Sequence, residues 1–475
     1  MDAARFNVAI LGGGPAGLGA TLKLAQAGKH GVTLYEGGER VGGNAGSFMI
    51  DGIHCDFGSH RLHPASDPTI LADLKAILGE DMLLRPRHGR IRLQRRWIHF
   101  PLKPFDLATR LPTGFAASLF FDAATAKMRA PKVKDETFAS VLLAGLGRTM
   151  CESFYFPYMR KLWGLQPSEL APTLAKRRVS GSSLPKLMKK IFGQVPGLKS
   201  STAGKFYYPK RGFGLICDRL SEEAQKAGAD VQLRTRFEGM TILNNRVQSI
   251  RLKTPEGDIS KSPGALWSTL PITSLVRAAG SAAPEAVQNA ARSIRFRGMI
   301  LIYLVLEQHR FTEFDAHYFP EESIPISRLS ETKNYYDATE PKTHTVLCAE
   351  LPSDPGDQYW GMSDDALGAK LCEWLTSTGL PVTSRLRQIQ TRRLPFAYPV
   401  YDRTYAENFE AMDKWIDSIE NLLTFGRQGL FAHDNTHHAL AMAYGAVDCL
   451  SPDGQFDRAH WTRLRHEFEL HVVED

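Results

Sequence analysis

The stretch from Phe6 to Glu36 leaves this chain few folds to choose from. An apolar run, Phe6–Leu11, leads into Gly12-Gly13-Gly14-Pro15-Ala16-Gly17 and a helical pattern through Gln26. A second apolar run, Val32–Tyr35, ends at Glu36. Strand, glycine turn, helix, strand and acid in this order are what a dinucleotide-binding βαβ unit requires. Gly12 permits the tight turn. Gly14 lets a pyrophosphate approach the backbone where Pro15 and Ala16 open the helix and its dipole favours negative charge, and Gly17 lets helix and strand pack closely. Glu36, about 20 residues beyond the turn, is spaced to grip ribose hydroxyls. The predicted class is α/β, with a Rossmann-type parallel sheet.

This unit does not by itself choose between NAD and FAD. The next residues, Glu36-Gly37-Gly38-Glu39-Arg40-Val41-Gly42-Gly43-Asn44, narrow the choice. Arg40 offers bidentate neutralisation of a pyrophosphate. Gly42 and Gly43 let the chain pass close to a flat ring system. This acid-then-R-x-G-G pattern resembles the FAD-dependent superfamily of amine oxidases, protoporphyrinogen oxidases, carotenoid desaturases and UDP-galactopyranose mutases. Asn44 stands where the monoamine oxidases carry Arg, and the GGN form is more similar to the mutases and their relatives. The resemblance implies non-covalent FAD and an enzyme. It also implies a Rossmann-type FAD-binding domain interleaved with a mixed-sheet substrate domain and a helical insertion.

The chain's 475 residues are too many for one simple core. Its 43% hydrophobic and 23% charged content is that of a globular protein. No run reaches about 18 apolar residues, so no transmembrane helix is expected; Met299–Leu306 reads as a fully buried strand. No charged-then-apolar leader precedes the first strand. Six scattered cysteines without a CxxC pair argue against a disulfide framework or zinc site. A reducing cytoplasm is expected. The formal charge of +7 is a mild excess, spread along the chain and not interleaved with aromatics in one tract. It therefore points to an anionic small-molecule substrate or cofactor and not to nucleic acid. The most basic stretch, Lys176–Arg211, reads either as a solvated helix and loop or as a mouth meeting an anionic substrate or a membrane surface.

The expected FAD-binding domain is discontinuous: 1–65, 206–275 and 421–450. Residues 66–205 are read as a helical substrate-domain insertion, with helices over Thr69–Leu78, Phe138–Leu146 and Ser153–Trp163. The second nucleotide-binding segment contains a helix over Phe213–Ala227, a strand over Val231–Leu233 and a meander including Arg246–Lys253 and Asp258–Ser260. Residues 276–420 form a mixed substrate-binding sheet with strands Ile294–Leu306 and His344–Leu351 and helices Ala366–Thr376 and Tyr405–Ile419. A C-terminal tail, 451–475, completes the chain.

Five stretches carry candidate chemistry. Asp56-Phe57-Gly58-Ser59-His60-Arg61-Leu62-His63 places two histidines in a glycine-containing loop. His54 and Cys55 lie just upstream, but the set matches no standard zinc spacing, and no metal is expected. The mutases carry a similar G-x-H-x-x-H, which implies that Gly58, Ser59, His60 and His63 lie at the flavin face, where a histidine suits proton shuttling. The stretch Tyr158–Leu170 resembles the mutases' K-x-W-G segment, implying that Trp163 and the following Arg178 bind substrate; core packing is the other reading of Trp163. Ser327-Arg328-Leu329-Ser330-Glu331-Thr332-Lys333 matches the mutases' S/T-R-[IL]-x-E-x-K, implying a substrate-facing Arg328. The alternative is a salt bridge from Arg328 to Glu331 or Glu350. Tyr398 and Tyr401 either line the pocket or pack in its rim.

The fifth stretch is a strand into a glycine turn at Gly426-Arg427, then Asp434-Asn435-Thr436 capping a helix from His437 to Leu450. The superfamily ends similarly, with a helix whose dipole stabilises negative charge on the reduced ring. That implies flavin neighbours at Gly426, Arg427, Asn435, His437, His438 and Ala439, and, as in the family, backbone contacts to adenine at Val231. The mutases' aspartate–methionine–aspartate stretch is replaced here by Asn435-Thr436-His437-His438. The resemblance thus implies an FAD-dependent oxidoreductase accepting a hydride from a small molecule. The alternative is a mutase-like isomerase using reduced flavin N5 as nucleophile on a nucleotide sugar. No sequence feature sets substrate identity or oligomeric state.

Overall fold

The computed structural model describes residues 6–103, 106, 109–129, 135–178 and 204–473. Most of the basic stretch expected between Lys176 and Arg211 lies outside these residues. A five-stranded sheet runs in the order Leu422–Thr424, Ala265–Ser268, Asn7–Leu11, Gly31–Tyr35, Asp230–Gln232, with every neighbour parallel. Its central strands are apolar almost without alternation because both faces are covered. Val8, Ile10, Leu34 and Trp267 face a core shared with helices Pro15–Ala27, Leu215–Lys226 and Thr436–Asp448. Ala9, Leu11, Tyr35 and Leu266 face the opposite core with Met240, Ile250 and Leu252 of a three-stranded meander, Arg236–Leu243, Arg246–Thr254 and Gly257–Lys261. Gly19 is what allows Pro15–Ala27 to lie against Thr436–Asp448: a Cβ there would stand 2.8 Å from Leu440.

The second sheet has seven strands in the order Leu386–Pro399, Phe296–Leu306, Thr345–Pro352, Arg328–Glu331, Ala316–Tyr318, Gly89–Leu93, Arg96–Phe100. Only the pairing of Ala316–Tyr318 with Gly89–Leu93 is parallel. Phe296–Leu306 is its spine, with every residue after Phe296 buried. The fold is therefore the expected α/β class, with one parallel and one mixed sheet.

Most expected elements are present with ends shifted by one or two residues, as in Thr345–Pro352 for His344–Leu351 and Thr436–Asp448 for His437–Leu450. Two differ more. The segment 66–205 is not wholly helical, because Met82–Pro86, Gly89–Leu93 and Arg96–Phe100 are strands. Their hairpin turns through Gln94 and Arg95, both at positive φ (53° and 60°), so the turn has the geometry of a tight hairpin without its Asn-Gly signature. The helix expected over Ser153–Trp163 begins as a π-helical turn, Cys151–Tyr155, and becomes α-helical over Phe156–Trp163. Among the described residues, no helix is long and apolar enough to cross a membrane.

His317, buried in the mixed sheet, gives this fold a pH dependence. Burial, helped by the charge of Arg90 and opposed by a backbone hydrogen bond at Leu329, pushes its pKa down to about 3. Between about 6.5 and that value the unfolded chain carries a proton here that the folded chain does not. Stability therefore rises with pH across this window and is lost as pH falls, by up to about 1.4 kcal/mol per pH unit. His317→Gln should flatten this slope in urea unfolding series from pH 7 to about 4; an unchanged slope would mean that other groups dominate the acid limb.

Candidate functional site

The floor of the site is built where two glycine loops meet. Gly12, at φ +99°, donates its N–H to Tyr35 O (2.9 Å), turning the chain off the first strand. Gly17 lies so close beneath it that a Cβ would stand 1.9 Å from Gly12 O. A Cβ on Gly14, by contrast, would meet nothing within 4 Å. Both oxygens of Glu36 are held by backbone amides, Oε2 by Gly13 N–H and Oε1 by Gly38 N–H (both 2.7 Å). The second loop docks on the first through Gly42 N–H to Gly13 O (2.7 Å), and a Cβ on Gly43 would stand 3.6 Å from Gly14 Cα. Asn44 reaches across to Phe396 O (3.2 Å). Arg40 departs from expectation. It does not line the cleft; its guanidinium lies over the Phe57 ring (4.1 Å) and donates to Val41 O (3.2 Å), supporting the loop from behind.

From this floor a cleft extends between the two sheets. Its lining includes Gly12, Gly14, Pro15, Ala16, Glu36, Gly43 and Asn44 at one end. Its lining also includes Gly58, Ser59, His60, Arg328 and Tyr398, together with Arg178, Arg427, Asn435 and Ala439. The described residues fit a dinucleotide cofactor: open space stands before Gly14 at a helix N-terminus, and an acid already oriented by two amides stands at the ribose position.

Ser59 N–H donates to Glu350 Oε1 (2.7 Å), and Glu350 also receives Arg328 through Nε and Nη2 (both 2.9 Å). The ion-pair alternative for Arg328 is thus observed, to Glu350 and not to Glu331, while the guanidinium still borders the cleft. Glu331 is engaged elsewhere, by the Phe311 and Thr312 amides and the Thr345 hydroxyl. Burial works against the charge of Arg328, but the Glu350 carboxylate outweighs it and holds the group firmly protonated.

His60 stacks on Phe213 (5.4 Å, 28°), and its Nε2 lies 3.0 Å from Phe57 O. A carbonyl only accepts, so Nε2 carries the proton and Nδ1 is an acceptor. Burial, opposed by Asp56, lowers its pKa and keeps the ring neutral near pH 7. His63 does not line the cleft. Its Nδ1 accepts from Ala65 N–H (3.1 Å) in the turn before the next helix.

Another part of the lining is aromatic and cationic. Tyr398 stacks on His433 (5.0 Å, 9°), and Trp163 packs against both (6.0 and 5.8 Å). Trp163 is 2% exposed, donates Nε1–H to Pro399 O (3.2 Å) and follows the core reading. Tyr401 does likewise: its hydroxyl donates to Phe431 O (2.8 Å) and accepts from His433 N–H (2.9 Å). Arg178 lies over Trp163 (5.0 Å) and donates to His433 Nε2 (3.1 Å). Burial and the neighbouring arginines hold His433 well below its ordinary pKa, so it stays neutral. Arg427 donates to Asp434 O (2.6 Å) and Ala397 O (3.0 Å).

Asn435 caps the helix Thr436–Asp448, with its N–H donated to His438 Nδ1 (3.3 Å). His437 and His438 are buried, border no part of the cleft and are pushed by burial to about 3 and about 4. Gly426 packs on Ala16, where a Cβ would stand 2.7 Å from its methyl. Gly42 is likewise a loop-packing position. Val231 pairs with Leu34 in the sheet and does not reach the cleft.

Sequence reasoning gave no role to Phe57, Tyr158, Phe396 and Gln428, although each lay in or beside a stretch it singled out, and it missed Tyr318 and His433 altogether; all six line the cleft. Phe57 belonged to a stretch already singled out, and Gln428 follows Gly426-Arg427. Tyr318 reaches the site only through strand pairing with Arg328, which no local pattern records.

The sequence profile of flavin-containing amine oxidoreductases matches residues 15–403. Among solved structures, the chain is similar to a reduced UDP-galactopyranose mutase, at 20% identity over 93% of each chain with a TM-score of 0.79. It is similar to a proposed protoporphyrinogen oxidase from an Exiguobacterium species at 18% identity, over 93% of this chain and 98% of that one, with a TM-score of 0.69. A cyclohexylamine oxidase from Brevibacterium oxydans matches at 12% identity over 97% of this chain and 100% of the other, TM-score 0.65. At these identities the likeness is one of fold.

Two pairs of variants test the site. Gly14→Val should fold, because space is open in front of it, yet lose FAD; Gly17→Ala should lose the fold itself, at a cost above about 3 kcal/mol. Melting curves with flavin content separate the two, and equal loss of folding by both would refute the distinction. Arg328→Met should cost about 3–5 kcal/mol by stranding the Glu350 carboxylate, and adding Glu350→Leu should restore most of it. A single variant of unchanged stability would show that the pair is not structural.

Proposed function

The chain belongs to the flavin-containing amine oxidoreductase family, and on that premise we propose that it is an FAD-dependent oxidoreductase that accepts a hydride from a small, largely apolar molecule carrying one anionic or strongly polar group. When bound, FAD supplies the two-electron acceptor that no amino-acid side chain provides. Gly12, Gly14, Pro15, Ala16, Glu36, Gly43 and Asn44 would hold its dinucleotide portion, with Gly42 and Arg40 supporting the loop. The observation carrying the substrate reading is the Arg328–Glu350 pair. It takes the net charge off the cation best placed to read a diphosphate. The walls near it, Tyr158, Met299, Leu301, Tyr318, Leu394 and Phe396, are apolar or aromatic. Arg178, over Trp163 and beside a neutral His433, would take the substrate's anionic end. Neutral His60, with Nδ1 as acceptor, would receive a proton released near the cleft.

A second reading, favoured by the presence of both Arg178 and Arg328 in one cleft, is a non-redox isomerase acting on a nucleotide sugar. The division into an FAD domain (1–65, 206–275, 421–450) and a substrate domain, and residence in a reducing cytoplasm, belong to the same proposal; all six cysteines are free thiols.

Anaerobic mixing with carboxylate-bearing amines and alcohols should bleach the oxidised flavin band near-stoichiometrically with a true substrate, and air should restore it. An enzyme inert when oxidised, which after dithionite reduction converts UDP-galactopyranose to the furanose without consuming reductant, would establish the isomerase instead.

A further inference from the structure

The C-terminal segment has no part in the cofactor grip, yet it reaches the cleft. The helix Arg458–Phe468 is anchored by Trp461 and Phe468 in the core beneath the parallel sheet, where Leu464 and Phe468 press on Gly445. Past the helix the chain turns, with Leu470 N–H on Glu467 O (3.0 Å) and His471 N–H on Phe468 O (3.2 Å). Leu470 is left 78% exposed while the next residues turn inward. His471 Nδ1 bonds Asp434 Oδ2 (2.9 Å), and its ring stacks on His438 (4.2 Å, 14°). Val473, buried, donates its N–H to Arg177 O (2.9 Å) and borders the cleft beside Arg178 and Asp434. A chain end is ordered only where something ties it down. Here the ties are two hydrogen bonds and a ring stack, and they join the helix Pro172–Arg178 to the helix Thr436–Asp448 across the edge of the site. Asp434, His438 and His471 stand close enough to share a cation, but His438 Nδ1 already accepts from the Asn435 N–H (3.3 Å) and His471 Nδ1 is bonded to Asp434 (2.9 Å), so the contacts present are those of a latch.

We propose that residues 469–473 are a built wall of the substrate cleft, latched through His471–Asp434 and Val473–Arg177. In that role they set which solutes reach the bound cofactor, with His471 as the positioning residue. The inference rests on the FAD reading above.

The probe is quenching of the bound flavin's fluorescence by iodide and by acrylamide, on holoprotein with confirmed FAD content. Wild type should be quenched several-fold less than a chain lacking residues 470–475, whose anchoring Trp461 and Phe468 are retained. His471→Ala in the full chain should lie between them, and Leu470→Ala should match wild type. Equal quenching in wild type and a folded, FAD-loaded truncation overturns the wall while leaving the cofactor reading intact. If the truncation does not fold, His471→Ala decides: raised quenching supports the wall and unchanged quenching overturns it. Wild-type protein without FAD overturns both readings.

Discussion

The hydrogen bond from Gly42 N–H to Gly13 O is the contact on which the rest of the site depends. It clamps the second glycine loop onto the first, so that residues about 30 apart in sequence form one surface. Each loop is itself tight: a Cβ on Gly17 would stand 1.9 Å from Gly12 O, and one on Gly42 2.6 Å from Gly46 Cα; between the loops a Cβ on Gly43 would stand 3.6 Å from Gly14 Cα. Once the loops meet, Glu36 is locked by two amides and the space before Gly14 is fixed. Asn44 then ties this floor to the long strand Leu386–Pro399 of the other sheet, so the glycine loops and the mixed sheet are registered to each other.

The charges in the cleft are arranged unevenly. At the Glu350 end, one carboxylate takes both Arg328 and the Ser59 amide, so the buried pair is closed on itself. Such a pair adds little net stability, but breaking it is costly. Elsewhere in the lining Arg178 donates to a histidine held neutral, and Arg427 donates to two carbonyls. Asp434 is the counterweight. Burial opposes its charge, but the His471 hydrogen bond and the positive neighbours hold it below the ordinary carboxylate range.

Much of this was legible in the sequence wherever the determinant is local. The glycine turn, the acid at the second strand's end and the cap at Asn435 are short-range devices, and their residues stand at or beside the cleft. What was not legible depends on pairing between distant strands. The choice of Glu350 over Glu331 as the partner of Arg328 follows from the register that sets Arg328 opposite Glu350. The cleft-facing Tyr318 arrives by the same route, through its pairing with Arg328. Trp163 and Tyr401 carried patterns that suit a pocket, but their polar atoms are satisfied by backbone and they pack inward. His63 and Arg40 lie close to the cleft in sequence but turn away from it, because a backbone amide claims the first and an aromatic ring the second.

The central claim is that this floor recognises the adenosine half of FAD through Glu36 and the glycine turn. The most direct measurement is the relative affinity of the apoprotein for FAD and for FMN, which shares the ring and lacks the adenosine. FAD should bind at least about 100-fold more tightly, a difference of about 2.7 kcal/mol, and Glu36→Gln should erase most of that advantage while leaving FMN binding unchanged. Equal affinity for FAD and FMN, or displacement of FAD by NAD at comparable concentration, would contradict the account.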